Sequence, residues 1–129
     1  MGKSSSFLID TEIFIWGMES NPKLSPKIKK LLENPENQVF LSVVSVWEIV
    51  IKQAKGRLKL PKSVEEGIKL TGFKTLSIEL VHVLTTGKLP MRHKDPFDRI
   101  LIAQARVENL TFITTDEKIW KYDLPLLKV

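Results

Sequence analysis

Ser6-Phe7-Leu8-Ile9-Asp10-Thr11 is a short apolar run of strand length closed by an acidic turn, and the apolar positions Ile13, Phe14 and Trp16 follow it at helical spacing. The stretch reads as strand, turn, helix, with a carboxylate at the junction. Downstream the alternation repeats. Ser25-Pro26 supplies an N-cap and a first-turn proline for a helix through Leu31 and Leu32, ended by Asn34-Pro35, and Val39-Phe40-Leu41-Ser42 reads as a second strand. A largely buried helix is predicted from Ser45 to Lys55, with Gly56 at its end and Leu58-Lys59-Leu60-Pro61 as a linker. Ser63-Val64-Glu65-Glu66 has capping-box spacing and opens a helix toward Leu70, closed by Gly72, before a brief strand from Phe73 to Leu76.

Ser77 is the predicted cap of a helix through Leu80, Val81 and Leu84, followed by a loop marked by Gly87, Pro90 and the basic cluster Arg92-His93-Lys94. Asp95-Pro96 starts a helix carrying Ile100, Leu101, Ala103 and Val107, which Asn109 ends before the strand Thr111-Phe112-Ile113-Thr114. A last short strand is expected near Leu126-Leu127. Strands alternating with helices indicate an α/β fold, a mostly parallel central sheet flanked by helices in three layers. In such sheets ligands bind at the carboxyl ends of strands, and both Asp10 and Asp116 fall where a strand ends.

Composition narrows the chemistry. At 129 residues the expectation is one domain spanning 1–129 with a single core. Hydrophobic residues at 43% and charged residues at 27% are a globular balance. With no cysteine, thiolate zinc sites, disulfides and cysteine nucleophiles are excluded, and any metal must be held by oxygen or imidazole. Met1 to Ser6 lacks the apolar core of a secretory leader, and no run approaches the roughly 20 apolar residues that span a bilayer, so a cytoplasmic protein is expected. Lys and Arg total 20 against 15 Asp and Glu; the net charge of +5 permits a polyanionic partner without requiring one.

Carboxylates sit in apolar sequence at Asp10, Glu48, Asp95 with Asp98, and Asp116. Gathered in one pocket, such groups repel one another unless cations compensate, and a divalent ion is the natural compensation. All-oxygen donors favour Mg²⁺ or Mn²⁺, and those ions suit phosphodiester hydrolysis. Each acid also has a structural reading. Asp10 caps the helix after it, and Glu48 completes a capping-box spacing with Ser45. Asp95 caps a helix with Pro96 at its first position, Asp98 favours the dipole in the first turn, and Asp116 starts a short helix toward Trp120. Each of these accounts for one residue, and only the metal reading covers them together. His82 reads as a satisfied core or boundary residue, His93 as a solvated or structural member of the basic loop, and Trp16, Trp47 and Trp120 as core aromatics.

Four segments resemble the PIN-domain family, and in particular its VapC-like toxin branch. They are Phe7-Leu8-Ile9-Asp10-Thr11, Ser42-Val43-Val44-Ser45-Val46-Trp47-Glu48-Ile49, the run from His93 to Ala105 containing Asp95-Pro96-Phe97-Asp98-Arg99, and Thr114-Thr115-Asp116. The resemblance implies a PIN fold, an acidic pocket of Asp10, Glu48, Asp98 and Asp116 that binds Mg²⁺ or Mn²⁺, and endonucleolytic cleavage of RNA as the toxin of a type II toxin–antitoxin pair. It also implies a homodimer and a small antitoxin whose tail crosses the active-site groove. Asp95 and Asp98 are three residues apart on one helical side, so either can face the metal; Asp98 is preferred, as the family's third acid. Asp95, Thr11 and Thr114 are then supports for the acids, and Arg92, Lys94 and Arg99 the candidates for holding the RNA backbone.

The main rival is a catalytically inactive RNA-binding module of the same fold, which predicts binding without metal-dependent cleavage. A phosphoryl-accepting signalling domain also places aspartates at strand ends around Mg²⁺, but it wants adjacent acids after the first strand, where this chain has Ile9-Asp10-Thr11-Glu12. A structure-specific DNA nuclease shares the chemistry and needs more chain for a clamp.

Overall fold

The structure is a computed structural model that describes residues 5–129, so the leader-free reading of Met1 to Ser6 falls for residues 1–4 outside it. β1 (Ser6–Ile9) leads to α1 (Thr11–Glu19) and α2 (Pro26–Glu33), then β2 (Gln38–Ser42), α3 (Val43–Ala54), α4 (Val64–Thr71) and β3 (Lys74–Leu76). α5 (Leu80–Thr86) and α6 (Pro96–Val107) precede β4 (Thr111–Thr114), a 3₁₀ turn at Ile119–Lys121 and β5 (Leu126–Lys128). The five strands form one sheet in the order β3-β2-β1-β4-β5, and all four pairings are parallel.

The pleat sorts alternate residues to opposite faces. Leu8 pairs with Phe40 and Phe112, and Phe112 with Leu126; these point into one core, filled by Leu101, Ile102, Ala103 and Ala105 of α6. Ile9 pairs with Leu41 and Ile113, and Ile113 with Leu127; these point into the other, against Ile13 and Phe14 of α1, Ile28 of α2 and Val64 of α4. α3 serves both cores, with Val44 in the first and Ile49 in the second. The result is the three-layer α/β architecture expected from the alternation. Each fully buried Leu, Ile or Phe in it contributes about 1.5–3 kcal/mol.

Caps set the element ends, and two differ from expectation. Ser25 and Ser63 cap α2 and α4, as predicted. α3, however, begins directly after β2, with Ser42 as its N-cap accepting from the Val44 amide at 3.0 Å, so Ser45 lies inside the helix and the Ser45–Glu48 capping box does not form. α5 is capped by Glu79 in a reciprocal box with His82, not by Ser77. Trp47 also departs from its core reading: it is 57% exposed and rests edge-on against Phe97. Trp16 and Trp120 are half-buried.

Because β2 and β3 lie on one side of β1 while β4 and β5 lie on the other, successive crossovers diverge between β1 and β4. That divergence leaves a crevice at the carboxyl ends of these two strands.

Candidate metal centre

Asp10 stands at the crevice because it is both the residue after β1 and the N-cap of α1. Its Oδ1 accepts from the Ile13 amide at 2.8 Å and its Oδ2 from the Thr115 amide at 3.0 Å, which ties the end of β1 to the end of β4. Asp116 follows β4 by two residues; its own amide donates to the Thr114 hydroxyl at 3.0 Å, and its Oδ1 accepts from the Lys118 amide at 2.9 Å. Glu48 reaches in from α3. The Thr11 hydroxyl, also 3.0 Å from that of Ser45, donates to its Oε1 at 2.7 Å, and Lys52 one turn later lies 3.1 Å from Oε2. Asp98 projects from the first turn of α6.

These elements together line one open cleft: Asp10, Thr11, Glu12, Glu48, Lys52, Asp98, Thr115 and Asp116. Five acids face a single cation there. The electrostatic consequence is visible in two of them. Burial pushes the Asp10 carboxyl above its ordinary value, with a smaller push from Glu12, against the Thr114 hydroxyl and the Ile13 and Thr115 amides. Asp98 is pushed up to about 7, first by burial and then by Asp95; His93 opposes this, while Asp116 and Glu48 add to it.

Asp95 does not join the cleft. Its Oδ1 accepts from the amides of Phe97 at 2.8 Å and Asp98 at 3.4 Å, the role of an N-cap ahead of Pro96. Arg99 is likewise placed differently from the expectation of a phosphate contact. Its Nη1 donates to the carbonyls of Pro90 and His93 and to the Tyr122 hydroxyl, and its Nη2 to the carbonyls of Thr86 and Leu89. The guanidinium is thus occupied in holding the loop that precedes α6. Arg92 and Lys94 remain exposed on that loop.

Of the two readings left open for His93, the structure takes the structural one: it is buried, and its Nε2 lies 2.8 Å from Asp98 Oδ2 and 2.9 Å from Asp116 Oδ2. Among the described residues, His93, Asp98 and Asp116 form the one group of three whose potential ligand atoms all fall within 4.8 Å of one another. Asp10 and Glu48 line the same cleft but stand outside that spacing. Glu12 and Lys52 were missed. Lys52 had a signal, since it follows Glu48 by four residues on a helix; His93 had none, because its place depends on contacts with distant residues.

The donor set suits a hard divalent cation: carboxylate oxygens from separate elements, with no thiolate in the sequence. A larger cleft, bounded by α1, α2 and α4, is mainly apolar, lined by Ile13, Phe14, Leu24, Leu32, Leu70 and Phe73, and offers one carboxylate, Glu33.

A parallel α/β sheet with acids gathered at its switch point defines the class. Within it, the chain belongs to the PIN domain family, whose profile matches residues 7–124. PIN domains are generally nucleases and typically use a divalent metal. The fold is similar to that of VapBC2 from Rickettsia felis bound to a DNA fragment from its promoter (TM-score 0.70, 18% identity, 95% of this chain and 98% of that one). It is also similar to a toxin–antitoxin complex from Klebsiella pneumoniae (0.67, 20%, 95% and 96%) and to VapBC-1 from nontypeable Haemophilus influenzae (0.64, 21%, 95% and 97%). At these identities the likeness establishes the fold. No curated protein sequence matches the chain.

Proposed function

We propose that this chain is a Mg²⁺- or Mn²⁺-dependent endoribonuclease, a single catalytic domain over residues 1–129, and the toxin of a toxin–antitoxin pair. The observation that carries the reading is the convergence of Asp10, Glu48, Asp98 and Asp116 from four separate parts of the chain on one open cleft. Like charges are not brought together at this density without a cation to offset them. Burial, with neighbouring acids, raises the Asp10 and Asp98 carboxyl groups, and a divalent cation bound beside them would favour their ionised forms.

In this reading Asp98 and Asp116 hold the ion, with Asp10 and Glu48 completing the acidic wall. When bound, a divalent cation supplies a Lewis acid that acidifies water and offsets charge building on phosphate oxygens. The chain does the rest. Thr11 and Lys52 fix the Glu48 carboxylate, leaving it oriented toward the cleft; Thr114, through the Asp116 amide, fixes the turn after β4. Exposed Arg92 and Lys94 hold the RNA backbone at the rim, and their contacts carry no sequence information.

The partner reading draws on the two-protein assemblies among the structural neighbours and on the apolar cleft bounded by α1, α2 and α4, which fits the apolar face of a small protein. A homodimer is supported by the exposed apolar side of α5.

The test is single-stranded RNA incubated with purified protein in Mg²⁺, in Mn²⁺ and in EDTA, beside a folded Asp10→Asn, Asp98→Asn variant. Cleavage that needs both the metal and the acids is the expected result. RNA that is bound yet stays whole across several substrates turns the reading toward an inactive binding module.

A further inference from the structure

His93 is the one imidazole packed against the acids of the cluster, and its surroundings fix which way its ring works. The loop carrying it is clamped from two sides: Arg99 donates to the carbonyls of Thr86, Leu89, Pro90 and His93, and the Tyr122 hydroxyl accepts from the amides of Arg92 and His93 while donating to the Pro90 carbonyl. Its two ring nitrogens meet different partners. Nδ1 faces the Asp95 amide at 3.3 Å, and an amide N–H only donates, so Nδ1 accepts and carries no proton. The ring proton then lies on Nε2, between Asp98 Oδ2 at 2.8 Å and Asp116 Oδ2 at 2.9 Å. With Nδ1 accepting, Nε2 is the nitrogen left to donate, and an N–H there bridges the two carboxylate oxygens.

A metal-bound imidazole needs the opposite arrangement, a bare nitrogen toward the ion. We propose that His93 is a positioning residue: its Nε2–H ties Asp98 of α6 to Asp116 beyond β4, while the ion is held by carboxylate oxygens with His93 outside its coordination sphere. The spacing of His93, Asp98 and Asp116, which by itself suits a three-ligand metal site, is then the mark of a hydrogen-bonded tether. The proposal rests on the metal-dependent reading above. It adds that removing the tether weakens Mg²⁺ and Mn²⁺ alike, since loss of an imidazole ligand would instead fall mainly on Mn²⁺.

The experiment uses the full chain, labelled with ¹⁵N-histidine, and locates the His93 ring proton by NMR in the metal-free and the Mg²⁺-saturated protein. Calorimetric titration with MgCl₂ and MnCl₂ then compares the unsubstituted chain with His93→Gln, whose amide offers two donors for two carboxylates, and with His93→Ala. The expected result is a proton on Nε2 in both states, a loss of about tenfold or more for both ions in His93→Ala, and affinity within about threefold of the original in His93→Gln. A proton on Nδ1 in either state, a loss confined to Mn²⁺, or unchanged binding by His93→Ala overturns the tether. If His93→Ala does not fold, the ring-nitrogen signals and His93→Gln decide. If the unsubstituted chain binds neither ion, the metal-dependent function fails, and the metal-free proton position alone judges the tether: Nε2–H sustains it and Nδ1–H overturns it.

Discussion

Asp98 concentrates the electrostatics of the cleft in one carboxyl. Its ordinary value is 3.8 and the fold raises it to about 7, so the folded chain retains a proton that the unfolded chain gives up. Stability tied to that proton is fully present below about pH 4 and drains away as pH climbs through about 7. In EDTA the protein should therefore melt at a lower temperature at pH 8 than at pH 5.5, and Asp98→Asn should flatten that slope. Adding Mg²⁺ at pH 8 should raise the melting temperature, because a ligand bound only by the folded state stabilises it by about 2.7 kcal/mol at a hundred times its Kd. Calorimetric melts across pH check all three statements; a metal-free protein that melts higher at pH 8, or an unchanged slope in the variant, speaks against the raised carboxyl.

At the scale of elements, the loop before α6 depends on Tyr122. Its hydroxyl accepts from two backbone amides and from Arg99 Nη1, and donates to the Pro90 carbonyl. Tyr122→Phe leaves the packing of the buried ring intact and strips those partners; the cost is about 1–3 kcal/mol for the groups left unsatisfied. The loss should appear as faster amide exchange at Arg92 and His93, with the β1 and β4 amides protected as before. The same loop shows where the sequence stops being informative. Most helix ends were legible because each has a local cause: Ser25 and Ser63 cap, Gly72 takes φ +71° and Asn109 φ +57°. Asp98 and Glu48 could be placed by helical spacing. Ser42 was passed over for Ser45 because nothing between β2 and α3 breaks the chain: one serine ends the strand and caps the helix. Trp47 was misplaced because aromatic character carries no sign of which face turns outward. Arg99 was misread for a different reason, since a folded loop and Tyr122, 23 residues away, take up its guanidinium, and the structural role of His93 could not be given its partner Asp116, also 23 residues away.

For the whole molecule, the sheet was legible from alternation alone, and the positions of its acids followed from strand ends. What alternation cannot reveal is the outer surface of α5. His82 pins that helix to α6 from within: its Nδ1 accepts from the Glu79 amide and its Nε2 meets Glu108 at 2.8 Å. The residues around it then turn outward, leaving Leu80 73% and Leu84 60% exposed, beside Val81 and Val83. Leu80 and Leu84 are one helical turn apart and share a face, so the pair forms an apolar ridge of the kind that marks a protein interface. A second copy of this chain, presenting the same ridge, is the occupant the prediction addresses. Light scattering on the eluting protein should give about twice 14.8 kDa for the unsubstituted chain and a single mass for Leu80→Glu, Leu84→Glu. Because the substituted positions face solvent in the lone chain, circular dichroism should not change. A monomeric mass for the unsubstituted chain would reject the homodimer, leaving the ridge to a different protein, while loss of the folded signal in the variant would mean that the two leucines support the chain's own core.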